Sequence, residues 1–76
     1  MKELIEFLAR SLVDDPEAVR VEEEQDEDRI VLRLYVAEGD MGKVIGKQGR
    51  IANAMRDLLK VAAARQGTRA SLEIGD

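Results

Sequence analysis

Residues 44–51 read Val44-Ile45-Gly46-Lys47-Gln48-Gly49-Arg50-Ile51. Two glycines three apart stand between aliphatic residues. Glycine adopts backbone angles closed to other residues, so the chain can turn abruptly here. It also carries no side chain, so a phosphate–sugar backbone can come close. A helix starting at Arg50 would present unpaired N–H groups and the positive end of its dipole, and both favour an anion. Lys47 and Arg50 add mobile positive charge, Lys43 lies nearby, and Gln48 can donate or accept hydrogen bonds. Such a loop grips a backbone without reading bases. The bare pattern is weak, since Gly39 and Gly42 also satisfy it and are assigned no function; its context has to carry it.

Downstream, Ile51, Ala54, Met55, Leu58, Leu59 and Ala62 form an apolar stripe that predicts a helix from Arg50 to about Arg65. Arg50, Asn53, Asp57 and Lys60 fall on its opposite side. Gly67 is the expected stop, and residues 69–74 alternate as a strand with Ala70, Leu72 and Ile74 inward. Upstream, Asp40 is expected to cap a short helix over residues 41–45. Residues 29–36 read as a strand with Ile30, Leu32, Leu34 and Val36 on one face. A polar turn at 25–28 joins it to a strand at 19–24, which makes the pair antiparallel. Residues 2–13 read as a helix with Leu4, Ile5, Leu8, Leu12 and Val13 on one face, stopped by Asp14-Asp15-Pro16.

The order is helix, strand, strand, short helix, long helix, strand. The connection through two helices predicts that strands 29–36 and 69–74 run parallel. The chain is therefore expected to be one α+β domain over residues 1–76, a three-stranded mixed sheet with three helices on one face.

The 76 residues include no cysteine and no histidine. Disulfides, thiolate metal sites, the usual zinc ligands and Ser-His or Cys-His pairs are thereby excluded. No cofactor is implied, and the expectation is a protein that is not an enzyme. With no apolar run of signal or transmembrane length, a cytoplasmic location without membrane contact is expected. The net charge of −4 argues against a polyanionic ligand until its distribution is read. Residues 1–39 sum to −7, whereas residues 40–69 sum to +5. The molecule should have a basic side.

Two other phosphate motifs fail. Gly42-Lys43-Val44-Ile45-Gly46-Lys47-Gln48 is one residue short of a P-loop and lacks the Ser or Thr that would hold magnesium. No G-x-G-x-x-G follows a strand.

The Ile-Gly-Lys-Gln-Gly-Arg-Ile context resembles the signature of the K-homology (KH) domain, whose loop clamps single-stranded RNA. The element order resembles the type II, prokaryotic arrangement, over essentially the whole chain. At this length it looks like the KhpA family of free-standing bacterial KH proteins. That resemblance implies single-stranded RNA binding, a role as RNA chaperone or post-transcriptional regulator, homodimers, a complex with the related protein KhpB, and a link to cell shape. Carried onto this sequence, the clamp would be Gly46, Lys47, Gln48 and Gly49. Val44, Ile45 and Ile51 would be its aliphatic neighbours, and Arg50, Lys43 and Asn53 its polar ones. The far wall of the groove would come from the strand around Leu32 to Val36. Only Phe7 and Tyr35 are aromatic, which counts against base-stacking RNA folds. An acidic protein with few charges at its loop implies weak affinity, steep salt sensitivity and little sequence selectivity.

Plainer readings stand beside these. Val44, Ile45 and Ile51 are as often core as groove. Met41 and Met55 are more often packing residues, and Arg56, Lys60 and Arg65 more often a solvated helix face. Glu22 to Asp28 is a solvated acidic hairpin before it is a metal or catalytic cluster. The alternative function is a protein-interaction or dimerisation module with little RNA binding.

Overall fold

The computed structural model describes residues 1–75. Six elements carry the fold: α1 (Lys2–Leu12), β1 (Arg20–Asp26), β2 (Arg29–Tyr35), α2 (Met41–Ile45), α3 (Arg50–Arg65) and β3 (Arg69–Gly75). Short 3-10 turns occupy Pro16–Ala18, Glu38–Asp40 and Lys47–Gly49. The strand order is β1-β2-β3, with β1 antiparallel and β3 parallel to the central β2. Both pairings agree with the sequence expectation. The hairpin is tighter than expected, because Gln25 and Asp26 pair with Ile30 and Arg29. Only Glu27 and Asp28 make the turn, and Glu27 takes the left-handed angle (φ 52°) that two-residue hairpins need.

The core lies between the sheet and the helices. Ile30, Leu32 and Leu34 face it from the central strand and Val36 from just past its end, all buried, as alternation requires. Val21 and Leu72 join from the flanking strands, Ile5 and Ala9 from α1, and Val44 from α2. Ile5, Leu32, Leu34, Val44 and Leu59 are the largest side chains fully removed from water. Burying such a residue contributes about 1.5–3 kcal/mol.

Two apolar faces are set differently from the expectation. On α3 the buried stripe is Ala52, Met55, Leu59 and Ala63, while Ala54 and Leu58 are exposed. The helix is rotated by about one residue, and Ile51 and Ala62 fall at the edge of the stripe. Ala52 and Ala63 present no bulk, so this face allows the backbone to lie close over the sheet. On α1 the contacts centre on Ile5 and Ala9; Leu4, Leu8 and Val13 are half-buried and Leu12 is exposed.

Gly67 ends α3 as expected. At φ 72° it lets Thr68 N–H reach the Ala63 carbonyl (3.0 Å) and its own N–H reach that of Ala64 (3.1 Å). These are the paired bonds of a Schellman cap.

Asp40 does not cap α2 with its side chain. Its carboxylate is buried and turned across the molecule, where it accepts the backbone N–H groups of Asp14 (3.2 Å) and Asp15 (3.0 Å). Lys43 completes the knot, 3.1 Å from Asp14 and 3.5 Å from Asp40. Burial pushes the Asp40 carboxyl up, but the two N–H donors and then Lys43 outweigh it and hold it below its ordinary value. The knot ties the exit of α1 to the start of α2, and so fixes the base from which the glycine loop projects.

Candidate nucleic-acid interface

The loop is the turn between α2 and α3. The N–H of Gly46 closes α2 on the Gly42 carbonyl (2.9 Å), and the N–H of Gly49 bonds the Gly46 carbonyl (3.1 Å). Three of the four loop residues have positive φ: Gly46 (77°), Gln48 (59°) and Gly49 (75°). The two glycines serve different needs. A methyl group on Gly46 would stand 2.6 Å from Ile51 Cγ1 and 2.9 Å from its Cβ. Gly46 is therefore required by packing as well as by backbone angle. At Gly49 nothing lies nearer than Asn53 Nδ2 at 3.9 Å, so only the left-handed angle demands glycine there. Gln48 holds the same region without that freedom, a conformation that costs of order 1 kcal/mol and recurs at ligand-binding turns.

Lys47, Gln48 and Arg50 are exposed, and no side chain caps the first turn of α3. The Arg50 N–H is taken by the Lys47 carbonyl, so the helix start offers an anion its positive dipole end beside two cations. Asn53 is one turn further on the same exposed side. Ile45 is 37% exposed and Ile51 half-buried, so both can offer apolar surface beside the loop.

Two expected neighbours are placed elsewhere. Val44 is fully buried and acts only as the anchor of α2 in the core. Lys43 is engaged by Asp14 first and Asp40 second, which hold its ammonium protonated above the ordinary range. Neither is a free group at the loop. The far wall is corrected too. Leu32, Leu34 and Val36 lie beneath the helices in the core, and the strand that runs beside α3 at the open edge is β3. The sequence showed that 69–74 was a strand; its edge position follows from the parallel pairing to β2, a long-range contact that no local pattern reports.

Between α3 and β3 runs a groove. Part of it is a cavity of about 210 Å³ with Leu59, Ala70 and Leu72 as its apolar floor and Arg56, Lys60 and Ser71 among its walls. Arg56 bridges it. Its Nε donates to the Leu72 carbonyl (3.2 Å) and its Nη1 to Asn53 Oδ1 (3.3 Å). Two of the five guanidinium donors are thereby used and three remain. Asn53 thus orients Arg56. The sequence placed Arg56 on the solvated side of the helix; the rotation of α3 turns it toward the strand.

Comparison with known proteins gives the family of the chain. A family model described as "KhpA/KhpB, KH domain" matches residues 2–74. The chain belongs to the KhpA/KhpB KH family. It is 54% identical over 74 residues to the "RNA-binding protein KhpA" of Clostridium perfringens, covering 97% of this chain and 99% of that one. The protein of the same name from Halalkalibacterium halodurans is 49% identical over 76 residues and the full length of both. That of Chlamydia trachomatis is 46% identical, over 97% of this chain and 95% of its own. No solved structure matches. Among the described residues no helix is long and apolar enough to cross a membrane, and no group of acids could hold a metal ion.

Proposed function

We propose that the chain binds single-stranded RNA, with the phosphate backbone gripped by Gly46, Lys47, Gln48, Gly49 and Arg50 and the strand laid along the groove between α3 and β3. The observation that carries this is the loop itself. It joins two positive-φ glycines, exposed Lys47 and Arg50, and an uncapped helix start. Each favours a polyanion, and together they leave a backbone-sized approach. Ile45 and Ile51 supply the apolar side of the entrance, and Asn53 acts through Arg56. The relatives named as RNA-binding proteins support the same reading.

The affinity follows from the charges. Few cations surround the loop, so binding is weak, depends little on sequence and falls steeply with salt. A non-specific binder of this kind suits an RNA chaperone or post-transcriptional regulator acting in the cytoplasm, without chemistry of its own. Homodimers, and pairing with a KhpB-type protein, belong to the same proposal. The exposed Leu58 and Val61 on α3 provide apolar surface for such an assembly.

The test is fluorescence anisotropy of a labelled unstructured RNA with wild type and a Lys47→Asp, Gln48→Asp double variant. Both side chains are exposed, and aspartate tolerates the left-handed angle at position 48. The variant should keep its circular dichroism and lose RNA binding. A folded variant that binds as well as wild type removes the loop from the mechanism and favours the assembly-module alternative.

A further inference from the structure

Beyond Arg56 the groove opens into a larger cavity of about 350 Å³ at the far end of α3. Its floor is made of Ala63, Ala64 and Ala70, and its charged lining is Arg29, Lys60 and Arg69. No carboxylate lines it. We infer that this end of the groove is a second phosphate site, so that a single strand is held at both ends of α3. The inference rests on the loop reading above and extends it.

Arg10, Arg20, Arg33 and Lys43 each have an acidic partner, at 3.9, 3.7, 3.1 and 3.1 Å. Among the described residues the cations of this groove, Arg29, Arg56, Lys60 and Arg69, are not held by ion pairs, nor are Lys2, Lys47, Arg50 and Arg65. Every cation that lines the groove is thus left unneutralised. Arg29 and Arg69 are also register partners across the β2–β3 ladder. Like charges side by side in a sheet oppose pairing, and an anion between or beside them would relieve the repulsion. Asp26 is the register partner of Arg29 on its other side, yet it makes no ion pair with it.

The three alanines matter sterically. They leave the cavity wide over small side chains, with the charged groups at its rim, a shape suited to a backbone passing through. From Gly49 to Ala63 the helix rises about 21 Å. The two cationic sites are thus separate, with Arg56 between them. A KH loop alone spans four nucleotides. A longer strand reaches the far site, whereas a short one stops before it.

Length and salt dependence test this. Labelled oligouridines, a tetranucleotide and an octanucleotide, are titrated at several salt concentrations. The proteins are wild type, an Arg69→Gln variant, and the loop double variant. Arg69 is exposed and lines only the far cavity, so its replacement leaves the core and the near groove intact, which circular dichroism verifies. The expected result has three parts. Wild type binds the octanucleotide more tightly than the tetranucleotide. The far-end variant binds the tetranucleotide as wild type does but loses roughly tenfold on the octanucleotide. Its slope of log K against log salt for the octanucleotide falls by about 0.7, one single-strand phosphate contact. The loop variant loses both ligands. If the far-end variant matches wild type on the octanucleotide while the loop variant fails, the inference falls and the loop reading stands. If the far-end variant weakens both lengths equally, the charges act diffusely and the second site is likewise refuted. Failure of wild type to bind either RNA overturns the loop reading and this inference with it.

Discussion

Gly46 and Gly49 look alike in sequence and differ in what they tolerate. Alanine at 49 meets nothing closer than Asn53 Nδ2 at 3.9 Å and only the left-handed angle, which costs about 1–2 kcal/mol. Alanine at 46 meets that angle and also Ile51 Cβ at 2.9 Å, an atom that cannot swing aside without moving α3. Gly46→Ala should therefore lower the denaturant midpoint more than Gly49→Ala, by a further ~1 kcal/mol. Equal losses on urea melts would mean that Ile51 gives way freely. Arg56 offers a second residue-scale test. It fixes α3 to an edge carbonyl of β3 while keeping three donors for a ligand. Arg56→Lys retains the charge and loses the planar fork, so it should cost about 1–2 kcal/mol of RNA affinity with little change in salt slope. Unchanged affinity and an unchanged salt slope would show a point-charge role instead, which lysine fills equally well.

Among the elements, α2 is the shortest helix and the most dependent on its attachments. Its hold on the end of α1 runs through Asp40, whose carboxyl is kept below its ordinary value. A lowered folded-state pKa means that the unfolded chain binds the proton first. The stabilisation is therefore present above the unfolded value and is lost as pH falls through the folded one. Wild type should melt at lower temperature as pH drops below the usual carboxylate range. Asp40→Asn should melt lower at neutral pH and show a smaller decline in acid. Parallel pH dependences for the two proteins would assign the acid sensitivity to other carboxylates. The sequence announced Asp40 as a helix start because its position is that of a cap. What it could not announce is a pair of donors more than twenty residues away. The same limit applies to α3. Ile51, Ala54, Leu58 and Ala62 form one acceptable apolar stripe, and Ala52, Met55, Leu59 and Ala63 form another. Periodicity established the helix but could not choose between adjacent faces, a choice made by packing against the sheet. The strands left no such choice, because alternation at 30–36 admits a single inward face. The loop was legible for a similar reason: glycine spacing and charge are local, whereas the groove wall on β3 depends on which strand lies at the edge.

For the whole molecule, charge and stability are coupled. A 76-residue domain is expected to hold about 4–11 kcal/mol of stability. Removing the Leu34 side chain, fully buried and remote from the loop, would take about 2–5 kcal/mol of it. Such a variant should sit near its unfolding threshold with its binding surface unaltered. Any ligand that binds only the folded chain must then rescue it. At a free RNA concentration about one hundred times the dissociation constant, the gain is about 2.7 kcal/mol. In a domain of this size each kcal/mol moves the melting midpoint by about 4–8 °C. Leu34→Ala should therefore melt well below wild type alone, and unstructured RNA should return it by roughly 10–20 °C at low salt. The return should shrink as salt is raised, because the cations that bind RNA lie on one side of an acidic protein and gain their hold by releasing counterions. Adding Lys47→Asp and Gln48→Asp to Leu34→Ala should abolish the return without lowering the starting midpoint, since neither loop side chain is buried. Calorimetry of these proteins with and without RNA separates the cases. A return that survives the loop substitutions would place the RNA on another face. A return insensitive to salt would mean that apolar contacts along Ile45 and Ile51, and not phosphate charge, carry the affinity.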